Sequence, residues 1–406
     1  MKEIFDVVVV GGGMVGAAVA CSLGGSALKV AVIESSPPLP FAADQAHDLR
    51  VSALSIASKN IMETVGAWNG VVNRRYCPFR RMRVWENEGD TEFCSDDINY
   101  PELGYIVENR ITQLALLDRL QDFANIELIC PATISNIRYC AGNLSELELG
   151  DGRILAAKVL VAADGGQSRV RQCVGLGVTS WDYEQHALVI YIETAYGQQD
   201  ITWQRFVPSG PQAFLPLTGH YGSIVWYNSP DEVNRLKALP YDALKDELVA
   251  AFPDCLGQVN QVLGTASFPL RRQHAQHYVK PGVALVGDAA HTINPLAGQG
   301  VNIGLLDAAA LAEVLLEATT NGCFDIADLA VLKRYERMRR IENLKMMTVM
   351  DVFYQVFSND ILPVKLLRNL GLGLAERIWP AKNKVMRGAM GLEGHLPKLA
   401  LGKKLV

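Results

Sequence analysis

The chain has 406 residues, 49% of them apolar and 20% charged, with a mean hydropathy of +0.11. That is enough chain for two lobes, each burying a core of its own. No window approaches the roughly 18–20 unbroken apolar residues of a membrane span, and a net charge of −5 gives no ground for a nucleic-acid partner.

At the N-terminus, Glu3 and Asp6 stand where a signal peptide would carry basic residues, and no Arg-rich transit segment follows, so neither is expected. Val7 to Val10 is a continuous β-branched run, the pattern of a buried parallel strand. A glycine turn follows, then an Ala-rich helical stretch to about Gly25 and a second strand, Lys29 to Glu34. Residues 37–48 read as loop, Val51 to Trp68 as helix, 78–108 as strands and 110–124 as an amphipathic helix. Short strands are expected over 126–163, with a turn at Gly150-Asp151-Gly152. Alternation over 181–228 predicts an antiparallel sheet in a second lobe. Val283 to Val286 returns to the buried-strand pattern, and helices are expected over 299–320, 325–357 and 361–376.

The fold class is therefore α/β with α+β elements. It combines a Rossmann-like cofactor-binding domain (1–76, 105–178 and 270–345), an inserted antiparallel-sheet substrate domain (77–104 and 179–269) and a helical C-terminus (346–406). The eight cysteines form no C-x-x-C pair and no cluster with histidine, which predicts reduced thiols, a cytoplasmic setting and no metal site. Residues 361–406 carry nine basic side chains against Glu376 and Glu393, a local +7 that leaves −12 to the rest. This tail suits acidic lipid headgroups or is simply a solvated helical end.

Three glycine-marked segments carry the chemistry. Gly11-x-Gly13-x-x-Gly16, with Met14 and Val15 between the last two glycines, follows a strand and opens a helix, whose free N–H groups and positive dipole end suit a pyrophosphate. Glu34, 18 residues past Gly16, can accept the ribose hydroxyls of an adenosine and would repel a 2′-phosphate, so the site takes FAD or NAD. Gly287-Asp288 ends another strand, and a carboxylate there suits the ribityl chain that only FAD has. Pro295-Leu-Ala-Gly298-Gln299-Gly300-Val301-Asn302 then starts a helix whose amides can face the pyrimidine edge of an isoalloxazine.

These motifs, with Asp164-Gly165-x-x-Ser168-x-x-Arg171 between them, resemble those of the flavoprotein aromatic hydroxylases related to p-hydroxybenzoate hydroxylase. Arg110 stands where that family often has a flavin-contacting arginine. Asp48-Leu-Arg50-Val-Ser-Ala-Leu54 and the stretch from His291 to Asn302 resemble a narrower group, the ubiquinone-biosynthesis hydroxylases. Phe41-Ala-Ala-Asp44, Leu103 to Asn109, Phe214 to Leu217 and Phe357-Ser-Asn359 look most like members acting on a 2-polyprenyl-3-methyl-6-methoxy-1,4-benzoquinol. The resemblance runs from residue 4 to about 392.

It implies an FAD monooxygenase in which a flavin C4a-hydroperoxide, formed with NADPH or NADH and O2, hydroxylates an electron-rich quinol ring. It also implies association with other ubiquinone-biosynthesis proteins and contact with the inner face of the membrane through residues 361–406.

No catalytic base stands out. Arg50 suits the flavin, a phenolate-like substrate or a surface salt bridge, and His291 suits the flavin environment, a helix cap or the core. Phe214, Pro216, Trp226 and Leu296 are candidates for a ring pocket, although aromatics on strands default to core. The Met346-to-Phe357 stripe is core or a channel for an isoprenoid tail. Three alternatives stay open: a sister hydroxylase for another ring carbon, a hydroxylase of a soluble aromatic acid, and a non-redox prenyl-binding protein on the same fold. Intact Gly287-Asp288 and Gly298-Gln299-Gly300 argue against the last.

Overall fold

The structure is a computed structural model and describes residues 2–86, 89–252, 258–293, 300–320, 325–357, 386–388 and 390–405. Its first sheet has a parallel centre in the order Ile126–Ile129, Val30–Ile33, Lys2–Val10, Ile154–Ala162, Val283–Leu285. Val7 pairs with Val30 on one side and Val159 on the other. These strands read as unbroken apolar runs because both of their faces are buried, leaving no polar side. The helix Met14–Ser22, buried from Gly16 to Ser22, packs against the long helix Gly300–Thr320 and against Asn109–Leu120.

Val51 to Trp68 departs from the expected helix. Val51–Ser55 is a strand paired with Gly104–Glu108, and the helix begins only at Ile56. Ser55 makes the break, its hydroxyl accepting the Ser58 N–H as an N-cap at 3.3 Å. Pairing across 50 residues overrides the local helical pattern.

The second sheet orders its strands as Val259–Ala275, Val178–Thr194, Tyr221–Asn228, Gly210–Pro216, Ile201–Val207, Arg81–Glu86 and Gly89–Cys94. All neighbours are antiparallel except Ile201–Val207 with Arg81–Glu86. One face packs Leu188, Ile190, Trp203, Phe214, Ile224 and Trp226 under the helices Pro230–Ala238 and Tyr241–Ala251. The opposite face turns Tyr191, Leu215 and Tyr221 toward the core of the first lobe. The two longest strands, Val178–Thr194 and Val259–Ala275, carry this sheet out from the first lobe, and the borders expected at 178/179 and 269/270 fall within them.

The helices expected over 299–320 and 325–357 are Gly300–Thr320 and Leu329–Phe357, while 361–376 lies outside the described residues. Among the described residues no helix is long and apolar enough to cross a membrane.

Candidate functional site

The first glycine turn is built by close approach. A Cβ on Gly16 would lie 1.9 Å from the Gly11 carbonyl oxygen, and one on Gly11, at φ +101°, would lie 2.4 Å from the Ala163 oxygen. Helix and strand can touch here only through glycine. The Gly12 N–H donates to Glu34 Oε2 at 2.7 Å, and Glu34 Oε1 accepts the Ser36 N–H at 2.9 Å. Gly13 faces open space, and the helix it caps receives no side-chain cap, so its first N–H groups are free for an anion.

The second and third segments are tied to each other. Arg171, buried, donates to the Ala289 carbonyl and the Gly166 carbonyl, both at 2.8 Å, and Gln273 Nε2 donates to the same Gly166 oxygen at 3.0 Å. Asp164 Oδ2 accepts the Val170 N–H at 3.2 Å. Gly287 sits against the first segment, since a Cβ there would stand 3.1 Å from Val15 Cγ2. Asp288 opens onto the cleft, yet protein encloses it on the other sides. That enclosure raises its pKa above the ordinary carboxylate value, against the pull of His291 and Arg50.

All three segments therefore line one cleft of about 940 Å³. Gly13, Met14 and Val15 contribute from the first, Gly165 and Gly166 from the second, and Asp288, Gly300 and Val301 from the third. Arg50, Ser52 and Asn109 line it as well, and Phe268, Pro269, Leu270 and Ile293 give it an apolar wall. At its lip, Trp181 lies under the Arg272 guanidinium, 4.0 Å from ring centroid to Cζ.

Arg50 reaches the cleft because two ion pairs hold the loop before it. Arg110 donates to both oxygens of Asp48 at 2.8 Å and to the Leu39 and Pro40 carbonyls. Arg75 donates to both oxygens of Glu108, at 2.6 and 2.8 Å, and to the Gln45 and Ala46 carbonyls. Arg110 thus acts on the loop and does not line the cleft. Glu108 and Asn109 had a signal in the Leu103–Asn109 segment, but nothing in their type or spacing announced a role. The loop also places His47 on the second sheet, its Nδ1 3.0 Å from the Tyr191 hydroxyl.

His291 is 1% exposed and sits beside the cleft, its Nε2 2.5 Å from Asp307 Oδ2. Burial alone would raise the Asp307 pKa, but His291, Arg339 and Asn343 bring it down to about 2. Asn302 pins the start of its helix: Oδ1 accepts from the Ser55 N–H and the Ser58 hydroxyl, and Nδ2 donates to the Ala53 carbonyl. Pro295, Leu296, Gly298 and Gln299 lie outside the described residues.

Phe214, Pro216 and Trp226 are the candidates the sequence offers for a ring pocket. None lines the cleft; Phe214 stacks on Trp203, and Trp226 meets Phe252 beneath the covering helices. The second sheet presents Phe268, Pro269 and Leu270 to the cleft instead, from the strand Val259–Ala275.

An FAD binding domain model matches residues 136–348, which include the second and third segments. The 3-demethoxyubiquinol 3-hydroxylase of Escherichia coli (strain K12) is 42% identical over 388 residues, covering 95% of this chain and 98% of the relative. The chain belongs to the ubiquinone-biosynthesis hydroxylases, a family of FAD-dependent monooxygenases. The ubiquinone hydroxylase UbiL of Rhodospirillum rubrum is 38% identical, covering 96% of the chain and 90% of the relative. In fold the hydroxylase matches p-nitrophenol 4-monooxygenase PnpA from Pseudomonas putida DLL-E4 with a TM-score of 0.78 at 19% identity, over 97% of this chain and 99% of that one. Its cofactor is FAD, and NAD(P)H and O2 are the co-substrates of this enzyme class.

Proposed function

We propose that this hydroxylase inserts one oxygen atom into a ring C–H bond of a polyprenylated benzoquinol, converting NAD(P)H, a proton and O2 to NAD(P)+ and water. The observation that carries the reading is the single cleft in which all three glycine segments meet an apolar wall from the second sheet. Identity of 42% to a 3-demethoxyubiquinol 3-hydroxylase supports the choice of ring.

The residues present fit FAD. In our reading Gly11, Gly13 and Gly16 admit the pyrophosphate to the helix start formed by Met14 and Val15, and Glu34 takes the adenosine ribose. Asp288 takes the ribityl chain, and the 295–302 segment, with Gly300, Val301 and Asn302 described, approaches the isoalloxazine. Asp164 and Gly165 complete the wall, and Arg110 serves through the loop that delivers Arg50. Gly13 supports this directly, since a Cβ there meets no protein atom within 4 Å.

Bound FAD supplies the activation of dioxygen. The protein orients the ring, and the apolar wall of Phe268, Leu270 and Ile293 excludes water. Residues 1–76, 105–178 and 270–345 then form the cofactor domain, with 77–104 and 179–269 as the substrate domain.

Quinone-lipid analysis of a deletion strain tests the substrate. Accumulation of 6-methoxy-3-methyl-2-polyprenyl-benzoquinol is expected, and a different accumulated quinol would move the assignment to another ring carbon. Turnover of p-hydroxybenzoate-like acids in preference to quinols would point to a soluble aromatic acid.

We further propose that the protein works on the cytoplasmic side of the membrane, bound peripherally through residues 361–406 and alongside other ubiquinone-biosynthesis proteins. The +7 charge of that segment supports the contact. Flotation with anionic liposomes should fail once 361–406 is removed, and equal flotation with and without it would refute the contact.

A further inference from the structure

We propose that Asp307 is a positioning residue of the cofactor site: together with His291 it fixes the turn that presents Asp288 to the cleft. The inference rests on the reading that Asp288 holds the flavin.

Asp307 lies on the helix Gly300–Thr320, two turns past Gly300 and therefore on the same face, and it is 0% exposed. One of its oxygens, Oδ2, accepts from the Gly287 N–H at 3.2 Å and lies 2.5 Å from His291 Nε2. Those two contacts bracket Asp288 from both sides of the short 3-10 turn Gly287–Ala289. The turn needs bracketing because Gly287 holds φ +56°, a conformation with little intrinsic preference to persist.

The other oxygen, Oδ1, accepts from Arg339 Nε at 2.8 Å and Asn343 Nδ2 at 2.9 Å, both on the helix Leu329–Phe357. Arg339 in turn donates to Asn343 Oδ1 at 2.7 Å. All four acceptor directions of the carboxylate are thus engaged, by the turn, the short strand after it and a helix.

A buried ion pair between Asp307 and Arg339 is a poor device for stability, since apolar residues of similar volume serve as well or better. Its directional bonds are what an apolar replacement lacks, and two of them end on the residues flanking Asp288. His291 extends the effect. With Nε2 donating to Asp307, its Nδ1 is buried and has no partner among the described residues. The imidazole also opposes the rise that burial imposes on the Asp288 pKa.

Two variants test the assignment. Asp307→Asn/Arg339→Gln removes both buried charges and keeps hydrogen-bonding groups of similar shape. His291→Gln keeps a donor toward Asp307 and removes the imidazole. The readouts are FAD affinity of the apo-protein, from quenching of FAD fluorescence, and the midpoint potential of the bound flavin, with the apo-protein unfolding temperature as control. We expect each variant to hold FAD about tenfold less tightly, the scale of one charge-assisted hydrogen bond, with a shifted potential and little change in unfolding temperature.

Wild-type affinity and potential in both variants would overturn the proposal, as would losses that track the unfolding temperature alone. If the double variant does not fold, His291→Gln decides. Asp288→Asn separates the two levels. If it binds FAD like wild type, the underlying reading of Asp288 fails. If it loses FAD while the other variants do not, only the role of Asp307 fails.

Discussion

Asp48 accepts two hydrogen bonds from Arg110, each 2.8 Å long, across 62 residues of sequence, and so anchors the loop between the two lobes. The loop carries Arg50 to the cleft and His47 to the second sheet. Replacing Asp48 with Asn should cost about 1–2 kcal/mol, because a bidentate, half-buried pair exceeds an exposed one. Urea unfolding measures the cost. Steady-state kinetics should show KM for the quinol rising more than FAD affinity falls. An FAD loss as large as that of Asp288→Asn would instead place Arg110 at the flavin itself.

Gly13 and Gly16 should separate ligand effects from folding effects. A Cβ on Gly13 meets no protein atom, so Gly13→Ala should unfold at the wild-type temperature yet bind FAD at least about tenfold more weakly, the methyl group occupying the approach to the pyrophosphate. A Cβ on Gly16 would collide with the Gly11 carbonyl at 1.9 Å, so Gly16→Ala should cost about 3 kcal/mol or more and lose FAD through the fold. Differential scanning fluorimetry of the apo-proteins, beside FAD titration, checks both. Equal FAD affinity in Gly13→Ala and wild type would remove the pyrophosphate from this turn.

The cofactor side of the protein was legible because its constraints are local. A strand, a glycine turn and an acid such as Glu34 must follow one another at short range to bind a dinucleotide. What was not legible depends on distant partners. Val51–Ser55 reads as helix until Gly104–Glu108 is there to pair with it. Glu108 is an unremarkable acid until Arg75 meets it, and Asp307 is one of three acids on a mostly apolar helix until His291 and Arg339 surround it. On the second sheet, alternation identified strands but not which set of side chains the helices would cover.

Acid should destabilise the protein well above the carboxylate range. Burial, with Arg75 beside it, pushes His47 from its ordinary 6.5 down to about 4 against the opposing charges of Glu108 and Asp48. Burial, with His291 and Arg340 nearby, does the same to His274. Below pH 6.5 the unfolded chain binds protons at these positions while the folded protein does not until about 4. Stability is therefore fully present above 6.5 and falls as the pH drops toward 4. Asp307 adds nothing in this window, since its depressed pKa gives stability that is lost only as the pH falls from 3.8 through about 2. Urea midpoints measured across the window should decline in the wild type and flatten in His47→Gln and His274→Gln. A slope unchanged in both variants would assign the acid sensitivity elsewhere.

The two faces of the second sheet should answer differently to substitution. Phe214 is fully buried, with its ring 5.5 Å from that of Trp203, on the face covered by the helices Pro230–Ala238 and Tyr241–Ala251. Phe214→Ala should cost about 3–5 kcal/mol through the cavity it leaves, with KM for the quinol unchanged in the folded fraction. Tyr191 is on the opposite face, where its hydroxyl meets His47 Nδ1 at 3.0 Å. Tyr191→Phe removes that bond for about 1 kcal/mol, yet it releases His47 and through it the loop that carries Arg50, so its effect should fall on KM. Chemical denaturation and steady-state kinetics on the two variants give four numbers, and the pattern matters more than any one of them. If Phe214→Ala raised KM at little cost in stability while Tyr191→Phe left KM alone, the ring pocket would lie under the helices, and the cleft-facing strand Val259–Ala275 would lose its role as the substrate wall.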